Sequence, residues 1–188
     1  KGPSTSAGGY YGLGRVNTIA FHPTTANTFW VGTPSGGLWK TTDGGTSWSS
    51  NTDNLGVLGV SGIAIDPNNP NTMYIATGDG EVGDTYSMGV LKSTDGGNTW
   101  NSTGLRLAVS NGYVIRKLVM SPADPQLLFA ATNGGLVRTT NGFTNFSVQP
   151  GFFSDVEFHP TDPNIVYAAS HSSSTSKGYL YTSTNAGV

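Results

Sequence analysis

Apolar residues in this chain come in short clusters separated by Gly, Pro, Asn, Asp, Ser and Thr. Four clusters end in Pro: VNTIAFHP (16–23), VSGIAIDP (60–67), IRKLVMSP (115–122) and FSDVEFHP (153–160). The pairs Ile19/Phe21, Ile63/Ile65, Leu118/Met120 and Val156/Phe158 alternate at period two, which predicts strands with one core face. Each Pro lacks an amide donor and ends its strand, and turn-forming residues follow. A second β-rich run comes next in every unit: TFWVGT, TMYIAT, LLFAAT and IVYAAS, starting at 28, 72, 127 and 165. A third follows: GLWKTT, VLKSTD, LVRTTN and YLYTST, starting at 37, 90, 136 and 179. No stretch shows helical periodicity.

The third run leads into a repeated turn. It reads TTDGGTSW at 41–48, STDGGNTW at 93–100 and TTNGFTNF at 139–146, and STNAG begins a fourth copy at 183. A short strand such as SWSSN (47–51) follows it. Each unit is therefore predicted as four antiparallel strands, A to D, with the repeated turn joining C to D. Four-stranded units recurring about every 45 residues predict an all-β fold, a β-propeller. The unit boundaries fall at 14–54, 55–106, 107–150 and 151–188, with 1–13 as the end of a preceding unit. Because the fourth copy breaks off, the expectation is part of a larger ring, the remaining blades belonging to the same polypeptide.

Composition narrows the function classes. Charged residues are 11% of the 188, Gly accounts for 27 positions, and Cys is absent. The net charge of −2 offers no basic field for nucleic acid. No apolar run reaches the length of a membrane span. Without Cys there are no disulfides and no thiolate metal sites.

In the repeated turns, Asp43 and Asp95 can accept turn amides, helped by the Thr41 and Ser93 hydroxyls, while Gly45 and Gly97 supply positive φ. Trp48 and Trp100 are expected to pack on the neighbouring sheet. Thr139, Asn141 and Phe146 hold the same positions in the third copy, as do Ser183 and Asn185 in the fourth. Recurrence in each unit marks these residues as structural, since catalysis does not need one per blade.

The turns resemble the Asp-box (bacterial neuraminidase repeat) motif S-x-D-x-G-x-T-W, found in sialidases, sortilin-type receptors and xyloglucan-cleaving endoglucanases. The segment from Gly14 to Trp48 also resembles propellers of large secreted bacterial proteins, including type IX substrates. That resemblance implies an extracellular or bacterial cell-surface location. It also implies that the turns lie opposite the ligand face, so that the B–C and D–A loops form the functional surface. The long B–C loop GDGEVGDTYSMG (78–89) is the richest of these. Asp79, Glu81, Asp84 and Tyr86 are its ligand-binding candidates, joined by Arg15 and Arg116 at the starts of A strands.

No catalytic residue is assigned. A glycosidase needs two carboxyl groups about 5–10 Å apart, and a pair from the long loop plus Asp155 is the one considered. In the xyloglucan-cleaving enzymes, R-T-D-x-G-G after strand B carries a catalytic Asp; here the matching stretch is GTPSGG, with Pro34 at that position. The leading expectation is a non-catalytic module binding a protein or glycan. The rival is a carbohydrate-active hydrolase with part of its site elsewhere. A solvated acidic loop is preferred over a Ca²⁺ site built from Asp79, Glu81 and Asp84, whose spacing does not fit an EF-hand, and no other cofactor is expected.

Overall fold

The computed structural model describes residues 14–81, 85–172 and 174–188. The segment 1–13, read above as the end of a preceding unit, and Asp84 lie outside the described residues. Four antiparallel meanders follow one another along the chain. The first sheet holds β1 (Thr18–Phe21), β2 (Phe29–Gly32), β3 (Leu38–Thr41) and β4 (Ser49–Ser50). The second holds β5 (Val60–Ile65), β6 (Met73–Thr77), β7 (Gly89–Ser93) and β8 (Asn101–Arg106). After a short 3₁₀ turn (Val109–Asn111) comes the third, with β9 (Ile115–Met120), β10 (Leu128–Thr132), β11 (Gly135–Thr139) and β12 (Ser147–Pro150). The fourth has three strands, β13 (Phe152–Phe158), β14 (Val166–Ser172) and β15 (Lys177–Ser183). These are propeller blades, with β1, β5, β9 and β13 innermost around a channel of about 440 Å³.

The turn after each inner strand is capped at one position by four different acceptors. His22 Nδ1 accepts the amides of Thr24 and Thr25, and Asp66 Oδ1 those of Asn68 and Asn69. Ser121 Oγ and His159 Nδ1 do the same in the third and fourth blades. Any side chain presenting a lone pair there closes the turn, which explains His, Asp, Ser and His at one register.

The repeated turns are held as their sequence suggests. The Thr41 hydroxyl accepts the Gly45 amide at 2.9 Å and donates to Asp43 at 2.9 Å. Asp43 takes the Ser47 amide at 2.9 Å and hydroxyl at 2.6 Å, and Asp95 takes the corresponding groups of Thr99. Ser47 hydroxyl donation, followed by the Ser47 amide and the Thr41 hydroxyl, lowers the Asp43 pKa from 3.8 to about 2. Thr99 acts first in the same way on Asp95, also to about 2. Asn141 repeats the geometry without a charge, accepting the Asn145 amide at 2.9 Å.

The blades are joined by a device the strand pattern does not reveal. An aromatic residue on the second strand lies opposite a cation on the third: Trp30 opposite Lys40, Tyr74 opposite Lys92, Phe129 opposite Arg138. Lys40 Nζ sits 5.1 Å from the Trp30 ring and Lys92 Nζ 5.4 Å from that of Tyr74. Each aromatic is buried and reaches the repeated turn of the following blade, against Gly97, Gly142 and Gly187 respectively. Those turns also accept hydrogen bonds from the preceding blade. Asn51 Nδ2 donates to Gly97 O, Gly104 N to Phe143 O at 2.8 Å, and Arg138 Nε to Ala186 O at 2.8 Å.

Aromatic and apolar side chains divide between the two faces of the blades. Trp48 packs edge-on against Phe29 of its own blade, with ring centroids 5.3 Å apart. Trp100 lies at the junction of the first and second blades, half-buried beside Trp30. Ile19 and Phe21 share the face of β1 turned away from the second sheet, where Phe21 lies 5.3 Å from Phe29, while Ala20 on the other face packs toward the second sheet. Phe143, at the position that Gly45 and Gly97 hold in the first two turns, has φ +63° and is fully buried edge-on to Tyr74. Packing there outweighs the strain of a left-handed backbone.

Candidate functional site

At the end of the channel where the B–C and D–A loops converge, the inner strands share a β-bulge. Pairing shifts register in β5 between Val60 and Gly62, in β9 between Ile115 and Lys117, and in β13 between Phe153 and Asp155. The extra residues are Ser61, Arg116 and Ser154; Asn17 occupies the equivalent place just ahead of β1. A bulge turns its extra side chain out of the alternation, so these polar residues are aimed at the channel mouth and not at the core. Arg116, Ser61 and Asn17 line the channel.

Cations then close the inner rim between successive blades. Arg15 extends from the first blade to the second, where Nη2 meets Asp79 Oδ2 at 2.5 Å and Nη1 meets Glu81 Oε2 at 3.3 Å. Asn17 Nδ2 donates to Asp79 Oδ1 at 3.4 Å, and the Glu81 amide to the same oxygen at 3.2 Å. Arg116 extends from the third blade to the loop of the second, donating from Nη1 to Gly80 O at 2.9 Å and Glu81 O at 3.3 Å. Its guanidinium lies 4.8 Å from the Phe152 ring, whose centroid is 3.9 Å from that of His171. Lys117 joins the third blade to the fourth, binding Glu157 closely and Asp155 at 3.9 Å.

The candidates thus separate by accessibility. The Asp79 side chain is 0% exposed and serves as the anchor for Arg15, whereas that of Glu81 is 69% exposed. Asp155 and Glu157 side chains are about half exposed, on their own cation. Tyr86 is exposed and lies over Gly112. Its loop is tied down by Thr85 Oγ1 donating to Pro34 O at 2.8 Å and by the Ser87 amide donating to Tyr113 O at 2.8 Å. The acidic residues therefore form two pairs, Asp79/Glu81 on Arg15 and Asp155/Glu157 on Lys117. Among the described residues no group of three or more His, Cys, Asp or Glu is placed to hold a metal ion. Sequence reasoning missed Asn17, Lys117, Phe152 and the bulges. The one available signal was the recurring polar residue directly after the first apolar residue of each inner strand.

The fold and this rim define a β-propeller with a polar, cation-laced channel mouth. No protein-family profile matches the chain. It is 31% identical over 153 residues to a xyloglucanase from a Paenibacillus species, a match covering 75% of this chain and 14% of that protein. It is 28% identical over 166 residues to a xyloglucanase from Hypocrea jecorina (strain QM6a), covering 81% of this chain and 20% of the enzyme. Among solved structures, an ancestral GH74 enzyme superposes with a TM-score of 0.74 at 20% identity, covering 89% of this chain and 24% of that one. The chain thus spans a fifth or less of the length of those two relatives. These relatives are named as enzymes, which overturns the expectation of a non-catalytic interaction module. Among the described residues no helix is long and apolar enough to cross a membrane.

Proposed function

We propose that the chain is a propeller segment of an extracellular glycoside hydrolase acting on xyloglucan or a related β-glucan. The observation that carries this reading is the match to xyloglucanases over three-quarters or more of the chain. The inner rim supports it. A glycan is bound through hydroxyl groups and apolar sugar faces, and the rim offers Asn17, Arg116, Glu81 and Tyr86 for those contacts. Glu81, Asp155 and Glu157 are the rim carboxylates that a sugar can reach. Asp79 is assigned to holding Arg15 and the loop, not to chemistry.

Pro34 stands where the resemblance implies a catalytic Asp, so an acid and base must come from these carboxylates or from the rest of the protein. The test is release of reducing ends from xyloglucan by the full-length protein and its Glu81→Gln, Asp155→Asn and Glu157→Gln variants. Depolymerisation of xyloglucan is expected. Loss of about 100-fold or more in kcat from one variant identifies its carboxylate as an acid or base. No turnover on xyloglucan or other β-glucans sinks the reading.

A further inference from the structure

Each pair of successive blades leaves a groove on the outer side, between the third and fourth strands of one blade and the repeated turn of the next. Between the first and second blades it is small, about 140 Å³, because Asn51 crosses it to the carbonyls of Gly97 and Asn98. Between the second and third blades the crossing is made by backbone, the Gly104 amide donating to Phe143 O, and the groove opens to about 470 Å³. Lys92 and Arg106 line this wider groove with Thr94, Asn101 and Ser102, and among the described residues no carboxylate lines it.

Lys92 rests over the Tyr74 ring, and the other polar groups of the groove are little used within the protein. Among the described residues Lys92 and Arg106 make no ion pair, and Arg106 uses only Nε, donating to Thr103 O at 3.3 Å. The side chains of Thr94, Asn101 and Ser102 make no hydrogen bond within the described chain. Lys92 pairs with Asn101 across the strands, and Arg106 faces Gly89, three residues back along β7 and roughly 10 Å away in strand length, because β8 is bulged between them. Two cations are thus separated along a trough of hydroxyl and amide groups. Gly104 and Gly142 keep its floor low.

We propose that this groove is a second carbohydrate site, selective for an acidic polysaccharide whose uronate carboxylates meet Lys92 and Arg106. The sugar hydroxyls meet Thr94 and Asn101. Its location on the outer edge of β7 and β8 makes it independent of the inner rim, so it stands whether or not the rim is catalytic.

The experiment is affinity electrophoresis and calorimetry of the full-length protein with polygalacturonate, with neutral xyloglucan as the second ligand. Polygalacturonate is expected to bind, and K92A/R106A to raise its Kd roughly tenfold or more, as for loss of charge-assisted contacts. Asn101→Tyr, beside Lys92 on the same face of the sheet, fills the trough and leaves both cations, and is expected to weaken binding as well. Lys40→Ala, at the closed junction, is expected to leave it unchanged, and xyloglucan binding is expected to be unaffected by all of these. Thermal unfolding confirms that the variants are folded. The proposal is overturned if polygalacturonate fails to bind, or if Lys40→Ala weakens it as much as K92A/R106A. Competition by inorganic polyphosphate as effective as that by oligouronides overturns it too, since the groove is then a general anion exchanger.

Discussion

At the residue scale, Asp43 and Asp95 show what a surface carboxylate does when its lone pairs are used locally. Both are turn acids at the surface, Asp43 exposed and Asp95 half-buried, yet hydroxyl and amide donors from Ser47 and Thr99 hold their pKa at about 2. A carboxyl depressed in the folded state contributes stability that is complete above its unfolded value and lost as pH falls through the folded one. Melting temperature is therefore expected to drop between about pH 4 and pH 2, and D43N/D95N to flatten that part of the profile. Parallel curves for the two proteins would show that the turns are not linked to protons. Asn141 and Asn185 already lack the charge, so the third and fourth turns contribute nothing to this transition. The role of these side chains was readable from Asp followed by Gly-Gly, because the chemistry is local in sequence.

At the scale of the element, the repeated turn has two functions and the sequence displays one. Its hydrogen bonds are internal, and the motif states them. Its outer surface receives the previous blade, and nothing within eight residues says so. Gly97 illustrates the difference from its neighbour. Both Gly96 and Gly97 have positive φ, but a Cβ on Gly96 would meet only Asn71 at 3.4 Å. On Gly97 it would meet Met73, Trp100 and the Trp30 indole, each at 3.4 Å. Gly96→Ala is expected to cost about 1 kcal/mol for the left-handed backbone alone, and Gly97→Ala about 2–3 kcal/mol. Urea titration reads both; equal losses would refute the junction role of Gly97. The partner aromatics Trp30, Tyr74 and Phe129 sit in strands that looked uniformly apolar, so their opposition to Lys40, Lys92 and Arg138 became visible only with register. Blade class was legible from period two and the turn motif. Which residues meet across a junction was not, because that depends on a neighbouring sheet.

At the scale of the molecule, the inner rim is a sequence of ties between blades: Arg15 to Asp79, Arg116 to the loop at Gly80, Lys117 to Glu157. Arg15, Arg116, Asp79 and Glu81 were all candidates from sequence, but their convergence was hidden, since Arg15 and Asp79 lie 64 residues apart. Removing one member of this ion pair leaves a charge in a site built for two. Arg15→Ala is expected to cost about 3 kcal/mol, and Asp79→Asn a similar amount, while the double variant costs clearly less than their sum. Additive losses in a double-mutant cycle would show that the two groups act separately.

The ties on the outer side have a further consequence. Asn51 reaches a carbonyl 46 residues ahead and Arg138 one 48 ahead. Chain-closure entropy varies only logarithmically with loop length, so each junction carries nearly the same closure penalty whichever blades it joins. A gene duplication that inserts one whole unit would add one more closure of the same kind and leave the rest untouched, whereas gain or loss of half a unit would strand an aromatic without its glycine. Propellers of this construction can therefore change blade number in whole steps, and their stability tracks intact junctions more closely than total length.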